Sequence, residues 1–115
     1  MSILANSVQL IGHLGKDVEV KTFNTGSKKA SFSLATTETY KNQKGEYVKN
    51  TQWHNIVAWG NTAEQIEKHL TKGSKVSLLG VISYRNYEDK AGIKKSVTEI
   101  NVNEFHKLAA IEKAQ

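Results

Sequence analysis

Two tryptophans lie in the stretch from Thr51 to Gly60, which reads as a β-strand. Side chains alternate between the two faces of a strand, so Trp53 and Trp59 share one face while His54 and Ile56 point to the other. Aromatic rings can pack in a core or, when exposed, stack on planar ligands. Burial is the ordinary fate of a tryptophan in a small protein, but so short a chain cannot bury both faces of this strand. The spacing alone leaves both interpretations open.

Other aromatic side chains and many basic ones accompany the tryptophans near the predicted strand ends. Unstacked bases offer flat faces and the phosphate backbone is anionic, so single-stranded nucleic acid is a ligand that needs this mixture, whatever its base sequence. The competing interpretation is core or subunit interface for each aromatic residue, and solvated surface for each lysine. The candidate binding residues are Tyr40, Trp53, Trp59, Tyr84, Arg85, Tyr87, Lys28, Lys29, Lys49 and Lys72.

The sequence contains no recognisable motif for catalysis or cofactor binding. The segment from Gly12 to Lys16 is rich in glycine, but it lacks the spacing and the Ser or Thr of a phosphate-binding loop. The histidines at positions 13, 54, 69 and 106 have no paired metal-binding spacing, and there is no cysteine to join them. The scattered carboxylates form no recognisable acid–base pair. We therefore predict a protein that is not an enzyme, with no catalytic residue, no metal and no cofactor.

Length and composition indicate one small globular domain with an anionic partner. The chain has 115 residues, enough for one modest core, and a formal net charge of +5. Nucleic acid is the first candidate partner and a membrane surface the second. No apolar run approaches the roughly 18–20 residues of a membrane span, and no signal-peptide pattern follows Met1. We expect a cytoplasmic protein without a membrane partner.

Periodicity predicts strands over residues 7–14, 30–40 and 51–60, a helix, and strands over 75–84 and 96–103. A polar hairpin loop over residues 41–46 is expected to lead through Tyr47 and Val48 to the third strand. Residues 18–23 are expected to continue the first strand beyond a glycine bend. The helix is expected to begin near Asn61 with a capping side chain and to end at Gly73. The residues of the fourth strand expected to face the core are Val76, Leu78, Gly80 and Ile82.

This order of elements predicts an all-β fold, a five-stranded oligonucleotide-binding (OB) barrel with one short helix between strands 3 and 4. We assign residues 1–104 to the barrel. Residues 105–115 are expected to form a short C-terminal tail, and the chain from Glu104 onward is expected to be weakly helical at best.

Several motifs between residues 7 and 103 resemble those of the bacterial single-stranded-DNA-binding protein family. They are Val8-Gln-Leu-Ile-Gly-His-Leu-Gly-Lys16, Leu34-Ala-Thr-Thr-Glu38, Thr51-Gln-Trp-His54 with Trp59-Gly60, Lys72-Gly-Ser74 with Gly80, and Ala91-Gly92. The resemblance implies an OB fold that binds and wraps single-stranded DNA in replication, recombination and repair. It also implies association with the bacterial nucleoid.

The resemblance assigns roles by position. Tyr40 and Tyr87 stand where the family has stacking aromatic residues, usually Trp, and Trp53 matches its stacking Trp. The smaller tyrosine rings keep a flat face but offer less of it. Trp59 stands at a Phe position that approaches DNA, and Arg85 stands at a basic strand position.

The resemblance also implies that copies of this chain assemble with one another. The family acts mostly as a homotetramer, and we expect the same homo-oligomer here. His54 matches a family histidine associated with subunit assembly rather than DNA contact, which agrees with its place on the face opposite to Trp53.

The end of the chain departs from the family pattern. The family commonly ends in a flexible tail with an acidic tip that recruits other enzymes, whereas this chain ends at Ala114-Gln115 without proline or an acidic run. Recruitment of other proteins through such a tail is therefore not expected. A protein-interaction module that docks its partner through the aromatic face, and an RNA-binding barrel, remain as alternative functions.

Overall fold

The computed structural model describes residues 5–108, which form six strands and one helix. In chain order the elements are β1 (Val8–Leu14), β2 (Glu19–Thr22), β3 (Lys28–Lys41), β4 (Tyr47–Trp59), α1 (Gly60–His69), β5 (Lys75–Glu88) and β6 (Lys94–Leu108). The segments with an alternating apolar pattern thus form strands, and one short helix accompanies them in the described residues.

The sheet closes into a barrel because β1 pairs with two different strands. Residues Val8–His13 of β1 pair antiparallel with β5, and His13 and Leu14 pair antiparallel with β3. The order β1-β5-β6-β4-β3 therefore returns to β1, and β2 adds to the free edge of β3. β4 and β6 meet in parallel, at Ile56 and Ile100. The predicted five-stranded OB barrel, with its helix between the third and fourth barrel strands, is confirmed.

Two glycines let the strands approach closely where the barrel turns its corners. A Cβ on Gly12 would collide with the carbonyl oxygen of Ala35 in β3, and one on Gly80 would collide with that of Asn101 in β6. Gly12 immediately precedes the residue at which β1 changes partner, and Gly80 lies at a β-bulge. The corner predicted for the first strand is thus present at Gly12.

One side-chain parity of the barrel strands fills the core. Leu34, Ile56, Val76 and Leu78 are fully buried there, and Ile66 of α1 closes the end of the barrel. Ile82 was predicted to belong to this inward set, and that prediction is wrong. Its side chain is 36% exposed because β5 by then is leaving the barrel in a hairpin with β6.

The helix differs from its prediction at both ends. α1 begins at Gly60 with Trp59 at the N-cap, and no side chain caps it, so the predicted cap near Asn61 is wrong. The helix ends at His69, and Leu70 follows in an extended conformation. Gly73 does have positive φ, but it serves the Thr71–Ser74 turn rather than the helix end. Within the described residues, no helix is long and apolar enough to cross a membrane.

The turns of both long hairpins use the same side-chain hydrogen bonds, and the second hairpin is tighter than predicted. The Asn42 Oδ1 atom accepts backbone N–H groups from residues 44 and 46, and the Asp89 Oδ1 atom accepts those of residues 91 and 93. Gly45 and Gly92 supply the positive φ in each turn. The N–H donated by Ile93 also holds the pKa of the Asp89 carboxyl below its ordinary value.

Several strand boundaries differ from the prediction. Residues 86–88 belong to β5 and not to a loop, and β6 begins at Lys94. β2 is a separate strand that pairs with β3, and does not continue β1. β6 runs to Leu108, so the weak helix predicted from residue 104 onward is wrong over 104–108; residues 109–115 lie outside the described part of the chain.

Candidate nucleic-acid interface

The two tryptophans lie on the outer side of β3 and β4, where Trp53 is opposite a small side chain and Trp59 is opposite Lys29. The uninterrupted register from Lys29–Trp59 to Lys41–Tyr47 puts Trp53 across from Ala35 and Asn55 across from Ser33. We call this side of the two strands the outer face. Its central residues are Lys29, Ser31, Ser33 and Ala35 of β3, and Trp53, Asn55, Val57 and Trp59 of β4. Large rings beside short side chains leave their flat surfaces accessible.

Trp53 is the most open of the aromatic platforms that the sequence placed on this face. Its side chain is 62% exposed, and its indole lies against Gly15, where an added Cβ would overlap the six-membered ring. The Gly15 N–H donates to the Ser33 carbonyl oxygen at 3.0 Å, which fixes this backbone support to β3. The ring therefore has one side resting on backbone and the other side available to a planar ligand.

Trp59 is less available than Trp53. Its ring stacks on Phe23, with centroids 5.8 Å apart and an interplanar angle of 22°. The Lys29 ammonium lies 5.5 Å from the indole centroid, a cation–π contact. The ring is still 48% exposed. Packing and exposure, the two interpretations that the sequence left open, are thus both present at this residue.

Arg85 and Tyr87 lie on the same side of the sheet as the tryptophans. Val57 of β4 pairs with Asn101 of β6, so the outer face continues onto β6 and β5 through the odd-numbered residues. The Arg85 side chain donates to both carboxylate oxygens of Glu99, at 3.0 and 3.4 Å, and its guanidinium lies 5.6 Å from the Tyr87 ring centroid. The hydrogen bond to Glu99 is the main reason that the pKa of Arg85 is raised above its ordinary value.

A groove of about 220 Å³ runs between these elements. Its lining includes Ser31, Ser33 and Asn55 on one side and Arg85 and Glu99 on the other. The polar lining of the groove thus combines neutral hydrogen-bonding groups with charged residues of both signs. The groove can accept the polar edge of a planar ligand whose ring stacks on a neighbouring aromatic side chain.

Tyr40 and Tyr84 are exposed, but strand parity places them on the reverse side. Tyr40 pairs with Val48, in the alternate set from Ala35 and Trp53. Tyr84 pairs with Thr98, in the alternate set from Arg85 and Tyr87. The structure therefore does not bring these two predicted residues together with Trp53 on one face. Their part in binding stays a prediction.

The four predicted lysines have different surroundings. Lys28 forms an ion pair with Glu67 of α1 at 3.1 Å, and Lys29 packs on Trp59. Lys49 is exposed and shares the parity of Trp53. Lys72 is exposed in the Thr71–Ser74 turn, and its backbone N–H donates to an Asp17 carboxylate oxygen at 2.8 Å. Of these four, Lys29 and Lys49 lie on the outer face.

His54 lies on the other face of β4, as its parity predicts. It pairs with the buried Leu34 and is itself half-buried, and its Nε2 atom lies 2.9 Å from the Thr36 hydroxyl oxygen. This environment separates His54 from the aromatic platforms. Its role in subunit assembly stays a prediction.

Two aromatic residues of this surface were missed in the sequence. Tyr47 is 76% exposed, shares the parity of Trp53, and has the Lys41 ammonium 5.9 Å from its ring centroid. Strand alternation could have identified it, because Tyr47 lies an even number of residues before Trp53 and so points to the same face. Phe23, which supports Trp59, follows the short strand β2 and has no comparable signal, because only the tertiary structure brings it there.

Residues 5–108 match the model of the single-strand binding protein family. The chain belongs to this family. Curated relatives include single-stranded DNA-binding protein 1 of Chlorobaculum tepidum, 41% identical over 91% of the chain and 65% of the relative. The single-stranded DNA-binding protein of Bacteroides thetaiotaomicron is 43% identical over 90% of the chain and 66% of the relative. The chain thus spans about two thirds or less of the length of these relatives.

Solved structures of the family share the fold. A Plasmodium falciparum SSB complex with ssDNA matches with a TM-score of 0.81 and 34% identity, over 90% of this chain and 95% of that one. A deletion mutant of the Thermus aquaticus single-stranded DNA-binding protein matches with a TM-score of 0.79 and 25% identity, over 90% and 50% of the two chains. The family is one of DNA-binding proteins and not of enzymes. Residues 5–108 contain no cluster of three or more metal-ligating side chains.

The different settings of the two tryptophans predict different collisional quenching. In Trp59→Phe the emission comes from Trp53 alone, and in Trp53→Phe it comes from Trp59 alone. Acrylamide is neutral and insensitive to the nearby lysines, so it should give the larger Stern–Volmer constant for Trp53, whose outer side is open. Removing the Phe23 support with Phe23→Ala in the Trp53→Phe background should raise the constant for Trp59. Equal constants for the two tryptophans would contradict the described packing.

Proposed function

We propose that this chain binds single-stranded DNA without sequence preference. The observation that carries the proposal is the exposed Trp53 ring supported on Gly15, on an outer face continuous with Arg85 and Tyr87. Membership in the single-strand binding protein family and the likeness to an SSB complex with ssDNA support it. The chain's own surface has the required chemistry, with flat rings beside cations.

Binding combines two contributions with different physical origins. Bases stack on Trp53 and on the Arg85–Tyr87 pair, and Tyr47 extends the row toward the hairpin tip. The value known for such stacks in this class of protein is about 1–3 kcal/mol per base. Lysines such as Lys49 attract the phosphates, and this part weakens as salt rises. Neither contribution reads the base sequence, because every base has a flat face and every nucleotide has a phosphate.

The biological role follows from what such binding does to DNA. A coated strand cannot re-pair and is shielded from nucleases, so we place the protein in replication, recombination and repair, in the cytoplasm with the nucleoid. Wrapping of the strand around a homotetramer, with His54 contributing to assembly, is part of the proposal. The protein acts by binding and not by catalysis, and it needs neither metal nor cofactor.

Titration of the tryptophan emission with oligo-dT at several salt concentrations tests this function. We expect quenching at low salt. In a log–log plot of affinity against salt concentration, the negative slope should become shallower by about 0.7 for each phosphate contact that is removed. Lys49→Ala should lose about one such unit with little change in maximal quenching. Trp53→Ala should lose affinity with little change in slope. No binding at low salt would refute the proposal, and tighter binding to a matched RNA would favour the RNA-binding alternative.

Gly15→Ala tests whether the backbone support of Trp53 serves binding. The added methyl displaces the indole, so affinity for oligo-dT should fall by up to the value of one stack, roughly 1–3 kcal/mol. The same substitution in a Trp53→Ala background should cost little more, because its target is already gone. An equal loss in both backgrounds would show that Gly15 acts by another route.

The assembly is tested by the mass of the protein in solution, with and without a long oligo-dT. We expect four times the mass of one chain, retained in the DNA complex. His54→Ala should reduce the assembled fraction at low concentration, whereas Trp53→Ala on the outer face should not. A stable monomer in both conditions would remove the wrapping part of the mechanism and leave simple strand binding.

A further inference from the structure

Glu99 is the one charged residue that is buried among residues 5–108, and it lies on the outer face. Only 9% of it is exposed, and it lines the groove between the aromatic platforms. Placing a carboxylate out of water is costly unless it is paired and hydrogen-bonded. The groove is also where an anionic ligand would approach. A buried negative charge there needs a reason beyond the general stability of the barrel.

The Arg85 guanidinium is held from two sides. Its Nε and Nη2 atoms both donate to Glu99, and the Tyr87 ring lies on another side of the same group. A guanidinium engaged in this fork has a fixed plane, unlike a lysine ammonium on a flexible stem. The geometry therefore holds the Arg85 guanidinium over the Tyr87 ring as one preformed stack.

The same pairing changes the charge that a DNA strand meets. Glu99 engages the Nε and Nη2 atoms and offsets the guanidinium charge, so a phosphate at the remaining N–H groups would gain little net attraction. Displacing Glu99 would leave the carboxylate buried without its partner. The other charged residues lining the groove, Lys16 and Glu19, are of opposite sign. The remaining polar lining groups, on Ser31, Ser33 and Asn55, are neutral. The groove floor is thus close to neutral, whereas Lys49 lies outside the groove lining.

We propose that Glu99 is a positioning residue that keeps Arg85 in the stacking surface and prevents it from pairing with phosphate. The proposal rests on the single-stranded DNA binding proposed above. It explains why Arg85, although a cation, serves the bases in the stacking proposed above and not the DNA backbone. It also separates the site into a groove for bases and a lysine rim for phosphates.

The dependence of oligo-dT affinity on salt tests this role, because a purely structural role would not change its slope. A dT oligomer of about 12 nucleotides lies within the roughly 4–16 that one OB barrel covers. Glu99→Gln keeps the shape of the side chain but releases the Arg85 charge to phosphate. Its log–log slope should therefore steepen by about 0.7 relative to the wild type. The double variant Arg85→Met with Glu99→Gln should keep the wild-type slope and lose part of the affinity.

Glu64→Gln is the matched control. Glu64 is exposed on α1, outside the groove lining, and its substitution makes the same change in net charge. It should leave the slope at the wild-type value, which separates the local release of Arg85 from a general gain of charge. Thermal unfolding of each variant checks that it is folded. If Glu99→Gln does not fold, the double variant, which buries no unpaired charge, still decides the question.

Two outcomes would overturn the proposal. Equal slopes for Glu99→Gln and Glu64→Gln would show that Glu99 does not restrain Arg85. A slope that is about 0.7 shallower in the double variant would show that Arg85 already contacts phosphate in the wild type. Failure of the wild-type protein to bind oligo-dT would instead refute the proposed function, so the two failures are distinguishable.

Discussion

Closure of the barrel is the constraint on which the rest of the structure depends. Because β1 pairs with both β5 and β3, five strands enclose one core and each must give one side-chain parity to it. The other parity points outward, and on β4 its residues are exposed except for Val57, which is buried. On β4 this assigns Ile56 to the core and leaves Trp53 and Trp59 outside. Exposure of the large rings is therefore a consequence of closure, and it needs no separate stabilising feature at the tryptophans.

Exposed rings also have to be held, and the barrel does this through neighbours with little bulk. Gly15 can support the Trp53 indole because it has no side chain, and its N–H bond to Ser33 keeps it against β3. Phe23 supports Trp59 in a different way, by stacking. The Trp53 ring, resting on backbone, is 62% exposed, whereas the Trp59 ring, in contact with Phe23 and Lys29, is 48% exposed. The two tryptophans, equivalent by spacing, are thus unequal in chemistry.

The sequence predicted the barrel and the order of its elements along the chain because both rest on local periodicity. Periodicity also separated the two faces of β4, but it left open which of them is exposed. The prediction failed where strands leave the barrel. Beyond the core the inward parity has nothing to pack against, so Ile82 is partly exposed and Tyr84 is largely exposed although both continue the pattern of Leu78. The second hairpin is tighter than predicted, because the Asp89 side chain that tightens its turn looks the same as a residue of a loose loop. Contacts such as Phe23 with Trp59 and Arg85 with Glu99 join distant segments and leave no pattern in one sequence.

The attraction of the chain for an anion depends on which groups contact each cation, and not only on the net charge of +5. Lys28, Arg85 and Lys95 are engaged by carboxylates at 3.0–3.3 Å, which reduces their attraction for an anion. Lys29 and Lys41 pack instead on aromatic rings, and a ring does not neutralise an ammonium. These two cations keep their charge while they order the platforms of Trp59 and Tyr47. Because these lysines contact aromatic rings and not carboxylates, the same surface can stack bases and attract phosphates.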